Sequence, residues 1–109
     1  MNLLAPEYQN KDSRRTLSQL FTSDIKQVNL YEAKKGCVLG DHFHKETIEF
    51  FHVVRGILTY NDSQVMTRGA TFVVYPEEVH KLKCESDVTL MSFLSKPYDS
   101  KEPDIWKKS

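Results

Sequence analysis

The stretch that decides the fold runs Gly36-Cys37-Val38-Leu39-Gly40-Asp41-His42-Phe43-His44-Lys45-Glu46-Thr47-Ile48-Glu49-Phe50-Phe51-His52-Val53-Val54-Arg55-Gly56. Two glycines enclose His42, His44 and Glu49. Residues two apart on a strand point to the same face, so His42 and His44 project together. Glu49 opens the next strand, and a hairpin would return its carboxylate to that pair. A fourth donor follows in a second block: Gly69, then Tyr75-Pro76-Glu77-Glu78-Val79-His80, then Cys84. His80 comes from a distant strand and meets the others only if the sheet closes on itself. Three imidazoles and a carboxylate are a donor set for one divalent transition ion, Fe, Mn, Ni or Zn, with one or two positions left for water or substrate. Three of the four histidines in the chain fall in this pattern.

The same parity assigns the neighbours of the donors. Phe51 and Val53 share the face of Glu49, and Leu82 and Cys84 share the face of His80, so these four are expected to line an apolar pocket. Cys84 reads as a small buried hydrophobe or as a thiol close to the ion. Cys37 receives no role. His52, the histidine outside the pattern, falls on the opposite face with Phe50 and Val54. Large apolar groups exposed together mark a contact surface, and two-fold dimers are the commonest oligomers. A homodimer through that face is therefore expected.

Outward from the central stretch, the chain reads as strand after strand. Segments rich in β-branched and aromatic residues cover Thr16–Thr22, Lys26–Ala33, Cys37–His44, Glu49–Arg55, Ile57–Tyr60, Gln64–Thr67, Thr71–Tyr75, Val79–Cys84 and Val88–Leu94. Lys35-Gly36, Asn61-Asp62-Ser63, Arg68-Gly69, Pro76-Glu77 and Ser86-Asp87 separate them as turns. No helical period is sustained. The expectation is an all-β sandwich or barrel. At 109 residues it is a single domain, with an N-terminal arm over 1–15, a β-barrel over 16–96 and a polar tail over 97–109. The tail holds Ile105 and the single tryptophan, Trp106. It either folds back to cap the barrel or packs on a second subunit.

Composition excludes other classes. Fifteen basic and fifteen acidic residues balance to a formal charge of zero, which argues against a nucleic-acid binder and against attachment to an acidic membrane. No apolar run has the length of a membrane span. Met1 to Arg15 lacks the apolar core of a secretory signal. Two cysteines make no disulfide framework, and a reduced, cytoplasmic setting is expected.

The two blocks together resemble the conserved motifs of the cupin superfamily. The first matches at every signature position. The second keeps its histidine but has Tyr75 where a proline is common, Glu77 where a glycine is common and Cys84 where an asparagine is common. The resemblance spans 36–84 and implies a small double-stranded β-helix, the jelly-roll cupin barrel, with His42, His44, Glu49 and His80 around one metal ion. Upstream, Lys11-Asp12-Ser13-Arg14-Arg15-Thr16-Leu17 and Gln27-Val28-Asn29-Leu30 resemble the opening of cupins that process nucleotide sugars: the deoxysugar 3,5-epimerases, the 3,4-ketoisomerases and the cupin domain of capsular-sugar reductases. Asp12 and Arg14 match an Asp-x-Arg-Gly element, with Arg15 in place of its glycine.

This likeness implies epimerisation or isomerisation of a keto-sugar nucleotide, with the ion as Lewis acid. Glu49 is then the candidate for moving the proton, and Tyr75 the candidate donor from the other face. Two further classes resemble the same site: an Fe(II)-dependent dioxygenase, and a non-catalytic module that binds a small molecule or a metal.

Overall fold

The structure is a computed structural model that describes residues 1–108. Eleven strands follow one another: β1 (Asn2–Leu3), β2 (Tyr8–Lys11), β3 (Thr16–Gln19), β4 (Gln27–Ala33), β5 (Val38–His42), β6 (Glu49–Arg55), β7 (Ile57–Tyr60), β8 (Gln64–Thr67), β9 (Thr71–Val74), β10 (His80–Cys84) and β11 (Val88–Leu94). They form a five-stranded sheet in the order β1-β9-β6-β11-β4 and a four-stranded sheet in the order β5-β10-β7-β8. Every pairing is antiparallel. Among the described residues no helix is long and apolar enough to cross a membrane.

The expected all-β jelly roll is present, but its sheets are not closed into a barrel. Strands β4 and β1 are free edges of the large sheet, and β5 and β8 of the small one. The sandwich is closed by packing. Strict alternation on β6, β10 and β11 aims Phe51, Val53, Leu82, Cys84, Val88 and Leu90 between the sheets, where they meet Leu58, Met66 and Phe72. Each large side chain taken fully out of water there contributes roughly 1.5–3 kcal/mol. The chain crosses between the sheets at Gly56, where φ is +100° and a Cβ would lie 2.4 Å from the main-chain oxygen of Asp87.

The N-terminal residues differ from the expected arm. Asn2–Leu3 pairs with Phe72–Val73 and extends the large sheet. Tyr8–Lys11 pairs with Thr16–Gln19 in a separate two-stranded hairpin. Its turn is built by Asp12, whose carboxylate accepts the main-chain N–H groups of Arg14 and Arg15 at 2.8 and 3.0 Å. Thr16–Gln19 therefore lies outside the sandwich. The polar composition of 1–15 concealed these strands because both sides of the hairpin face solvent.

The outer face of the large sheet is less open than parity suggests. Phe21 folds over it and stacks on Phe50 at 4.2 Å, with Phe93 edge-on at 5.2 Å. His52 turns its Nδ1 to the hydroxyl of Thr71 at 2.8 Å. Val54, Val28 and Leu30 stay exposed.

Candidate metal centre

Two features of the backbone aim the histidines. Strand β5 carries a bulge: Lys81 opposes Gly40 and His80 opposes His42, leaving Asp41 as the extra residue. Gly40 and Asp41 both have positive φ, +84° and +70°. Inserting one residue reverses the side-chain parity of everything beyond it. Leu39 and His42 thus both face inward, although they are three apart. At Gly40 a Cβ would stand 3.0 Å from the main-chain oxygen of His80 and 3.2 Å from its ring. The glycine is what lets the His80 imidazole pass.

The second feature corrects the expected hairpin. β5 ends at His42 and pairs with β10, whereas β6 lies in the other sheet, so residues 43–48 cross between the sheets and His44 sits in this crossing. Its backbone stays extended because Phe43 makes an antiparallel bridge with Trp106: Phe43 N–H donates to Trp106 O at 2.8 Å, and Trp106 N–H returns to Phe43 O at 2.9 Å. His44 keeps the side of His42 through a partner from the C-terminal tail. Trp106 has folded back onto its own chain.

Four residues from the two sheets and their connection now converge. Donor atoms of His42, His44, Glu49 and His80 all lie within 4.8 Å of one another. His44 Nε2 is 3.0 Å and His80 Nε2 3.5 Å from Glu49 Oε1. The rings of His42 and His80 meet edge-on at 4.5 Å. His44, Glu49 and His80 are buried, and His42 is half-buried toward the opening.

The protons on His44 test whether this set fits a cation. Nδ1 lies 2.6 Å from the main-chain oxygen of Asp104. A carbonyl oxygen only accepts, so Nδ1 carries a proton. Nε2 faces a carboxylate oxygen, which also only accepts when ionised. Such a ring is satisfied either as an imidazolium or as a neutral ligand with a cation between Nε2 and Glu49. The donor set fits a divalent ion on these grounds.

Titration behaviour follows the same geometry. Burial would raise the Glu49 carboxyl, but hydrogen bonds from His44 and His80 outweigh it and bring the value to about 2. Burial would lower His44, but its bonds to Glu49 and Asp104 carry it above its ordinary value. Burial, aided by the charges of His80 and His44, pushes His42 down to about 4.

A cavity of about 560 Å³ opens beside the cluster, lined by His42, His44, Glu49, Tyr31 and the β4 side chains Gln27 and Asn29. Lys96, Tyr98 and Ile105 form its outer wall. A smaller void of about 30 Å³ lies beneath, lined by Tyr31, His42, Glu49, Phe51, His80 and Leu82. Of the expected pocket residues, Phe51 and Leu82 line this void. Val53 and Cys84 lie in the core and line neither space. Burial raises the Cys84 thiol.

Tyr75 is not at the site: it is exposed, lines neither space, and its N–H donates to Glu78 Oε1 at 3.1 Å. The tyrosine that faces the cluster is Tyr31, which lines both the cavity and the void beneath it. Burial and the charge of Glu49 raise its pKa, so it stays protonated. The alternation Gln27-x-Asn29-x-Tyr31 carried that signal, placing three polar side chains on the inner face of one strand.

No protein-family model matches the chain, and no curated protein matches it. Solved structures do. The sugar 3,4-ketoisomerase QdtA of Thermoanaerobacterium thermosaccharolyticum, solved with TDP, is 18% identical with a TM-score of 0.71, over 96% of this chain and 86% of that one. Another QdtA structure holds TDP-4-keto-6-deoxyglucose. The RmlC epimerase of Mycobacterium tuberculosis is 17% identical with a TM-score of 0.71, over 91% of this chain and 65% of that one. The capsular polysaccharide assembling protein CapF of Staphylococcus aureus is 21% identical with a TM-score of 0.64 over 98% of this chain. This chain spans about a third of CapF, 32% of its length. One CapF structure carries the inhibitor 3-isopropenyl-tropolone. At these identities the likeness is one of fold, the RmlC-like cupin jelly roll that the sequence motifs led us to expect.

Proposed function

We propose that the chain binds one divalent transition ion through His42, His44, Glu49 and His80 and isomerises or epimerises a keto sugar carried on a nucleotide. The observation that carries this reading is the cavity that joins three of the four clustered donors, His42, His44 and Glu49, to Tyr31. Its fold is that of proteins solved with TDP and a TDP-keto-sugar, which supports the choice of substrate class.

A bound ion would supply Lewis acidity to the sugar carbonyl, lowering the barrier to loss of the neighbouring proton. The residues do the rest. Glu49 is ionised at neutral pH, lines the cavity and is the carboxylate of the cluster assigned to take a proton. Tyr31 stays protonated and delivers one from the β4 side. Gln27 and Asn29 offer amides to sugar hydroxyls. Lys96 at the cavity wall, whose ammonium pairs with Glu46, would have to exchange that partner to hold a diphosphate. Phe51, Leu82 and Leu90 close the floor beneath the cluster.

A second reading needs no ion. His42 is held neutral and lines the same cavity as Tyr31, so the pair supplies a proton acceptor and a proton donor.

Solvent deuterium exchange into TDP-4-keto-6-deoxyglucose, with metal-loaded and chelator-treated protein, tests both. Exchange that needs the ion supports the first reading; exchange unchanged by chelation supports the second. No exchange with either, together with oxygen consumption by the Fe(II) form, would replace both with a dioxygenase. Ligand-induced stabilisation alone would leave a binding module. A tropolone, whose adjacent oxygens chelate divalent ions, should compete with substrate only under the first reading.

A further inference from the structure

We propose that the C-terminal segment 103–107 is a strap that positions His44 as a metal ligand, so that Asp104 sets the metal affinity of a site its carboxylate does not touch. The inference rests on the metal-binding reading above.

The strap is attached to the His44 crossing at three independent points. First, Trp106 pairs with Phe43 by two main-chain hydrogen bonds and holds that residue extended. Second, the Asp104 carboxylate gathers the turn that follows His44. The N–H groups of Lys45, Glu46 and Thr47 donate to it at 2.9 Å each, and the Thr47 hydroxyl does so at 2.9 Å. The Trp106 indole N–H adds a fifth bond at 3.0 Å. Third, the main-chain oxygen of Asp104 takes the Nδ1 proton of His44 at 2.6 Å. The Lys45 ammonium lies 3.7 Å over the Trp106 ring and closes the assembly on its outer side.

The third contact links the strap to the chemistry. An imidazole with its proton fixed on Nδ1 presents the Nε2 lone pair, here toward Glu49 and His80. Without the Asp104 oxygen, the ring is free to take the other tautomer, with a proton on Nε2 that blocks the metal. It is also free to rotate. The side chain of Asp104 acts one step further back, by holding its own carbonyl and the crossing in register. Carboxylate bonds to successive main-chain N–H groups are charge-assisted and fix a turn more firmly than neutral ones. Asp104 is therefore a positioning residue, not a ligand. Its segment also forms part of the wall of the cavity, through Ile105.

The test uses the full chain and three variants: Asp104→Ala, Asp104→Asn and Thr47→Val. Zn(II) affinity is measured by competition with a chromophoric chelator. Co(II) absorption reports the geometry, and nitrogen-15 spectra of the metal-free protein, above the titration range of an ordinary imidazole, report the His44 tautomer. We expect Asp104→Ala to lose about ten- to a hundredfold in Zn(II) affinity, with altered Co(II) bands and a proton on His44 shared between Nδ1 and Nε2. Asp104→Asn, which keeps an acceptor, should recover part of each. Thr47→Val removes one donor from the hub, leaves the strap intact and should fall between wild type and Asp104→Ala. It also keeps the question open to test if Asp104→Ala does not fold. Wild-type affinity and an unchanged tautomer in the folded variants would overturn the strap while leaving the metal reading in place. If the wild type itself takes up neither ion, the metal reading falls and the strap falls with it.

Discussion

His44 and Asp104 are 60 residues apart in sequence, yet the ring nitrogen of one donates to the main-chain oxygen of the other at 2.6 Å. With Nδ1 committed there, only Nε2 remains for the cluster, and Nε2 faces Glu49.

Protein purified without chelator should contain about one divalent ion per chain, released when His42 and His44 are both changed to alanine, because donor removal takes the binding free energy with it. Elemental analysis decides this. Added Zn(II) should also raise the melting temperature of the wild type and leave that of the double variant unmoved. Equal metal content in both proteins would remove the centre.

Tyr31→Phe should lower turnover of a keto-sugar nucleotide by roughly 10²-fold or more, the usual contribution of a positioned acid or base. Tyr75→Phe should leave it near wild type. Steady-state kinetics with both variants separates the tyrosine at the cavity from the one on the surface. The reverse ranking would move the reaction elsewhere.

Gly40→Ala should damage the cluster without touching a donor. The added methyl meets His80 at 3.0 Å, and φ at that position is +84°. Backbone strain of this kind costs on the order of 1–3 kcal/mol, visible as a lower melting temperature and weaker metal uptake. A variant as stable and as metal-replete as wild type would mean that the bulge relaxes freely.

Acid should release the strap. Burial would raise Asp104, but the N–H groups of Lys45 and Glu46, with Thr47 and Trp106, hold its carboxyl well below the ordinary 3.8. A depressed carboxyl contributes stability above its unfolded value and loses it as pH falls through its folded one. Trp106, the single tryptophan, should therefore emit unchanged from neutrality down to about pH 3.8 and shift only below it. A transition centred above that value would show that Asp104 does not anchor the segment.

For assembly, a two-fold dimer through the outer face of the large sheet is expected, and Val54→Glu is the informative change. Phe50 is stacked on Phe21 of its own chain, so altering it would disturb the fold as well as any contact. Val54 is 42% exposed. Light scattering should show the wild type as a dimer at micromolar concentration and the variant shifted toward monomer. A monomeric wild type would leave this face to solvent.

The sequence carried nine of the eleven strands to within a few residues, β3 through its β-branched composition and most of the others because one face meets the core. Its limits have physical causes. Asn2–Leu3 is too short to show a period, and Tyr8–Lys11 has no buried face to impose one. The convergence of His42 and His44 was expected from simple alternation along one strand. It arises instead from a bulge at Gly40-Asp41 and from a bridge to Trp106. The second motif predicts Tyr75 near the mouth of a barrel, yet its strand ends one residue earlier and the side chain is exposed. The role of Asp104 was not legible at all. One acidic residue in a polar tail has no periodic context, and only the tertiary structure brings it to His44.

The edges of the large sheet also set how the chain reaches this state. Strand β4 lies against β11, pairing Gln27 with Leu94, and β1 lies against β9, pairing Asn2 with Val73. Each closes a loop of most of the chain, and such loops lose entropy before their contacts form. Topologies of this kind fold in milliseconds to seconds. Glu49 and His80 stand on different sheets, so the four donors assemble only after the sheets have docked. Refolding rates should thus be the same with and without Zn(II), while unfolding slows in its presence. The ion would act as a late lock on a finished sandwich, not as a template for building it.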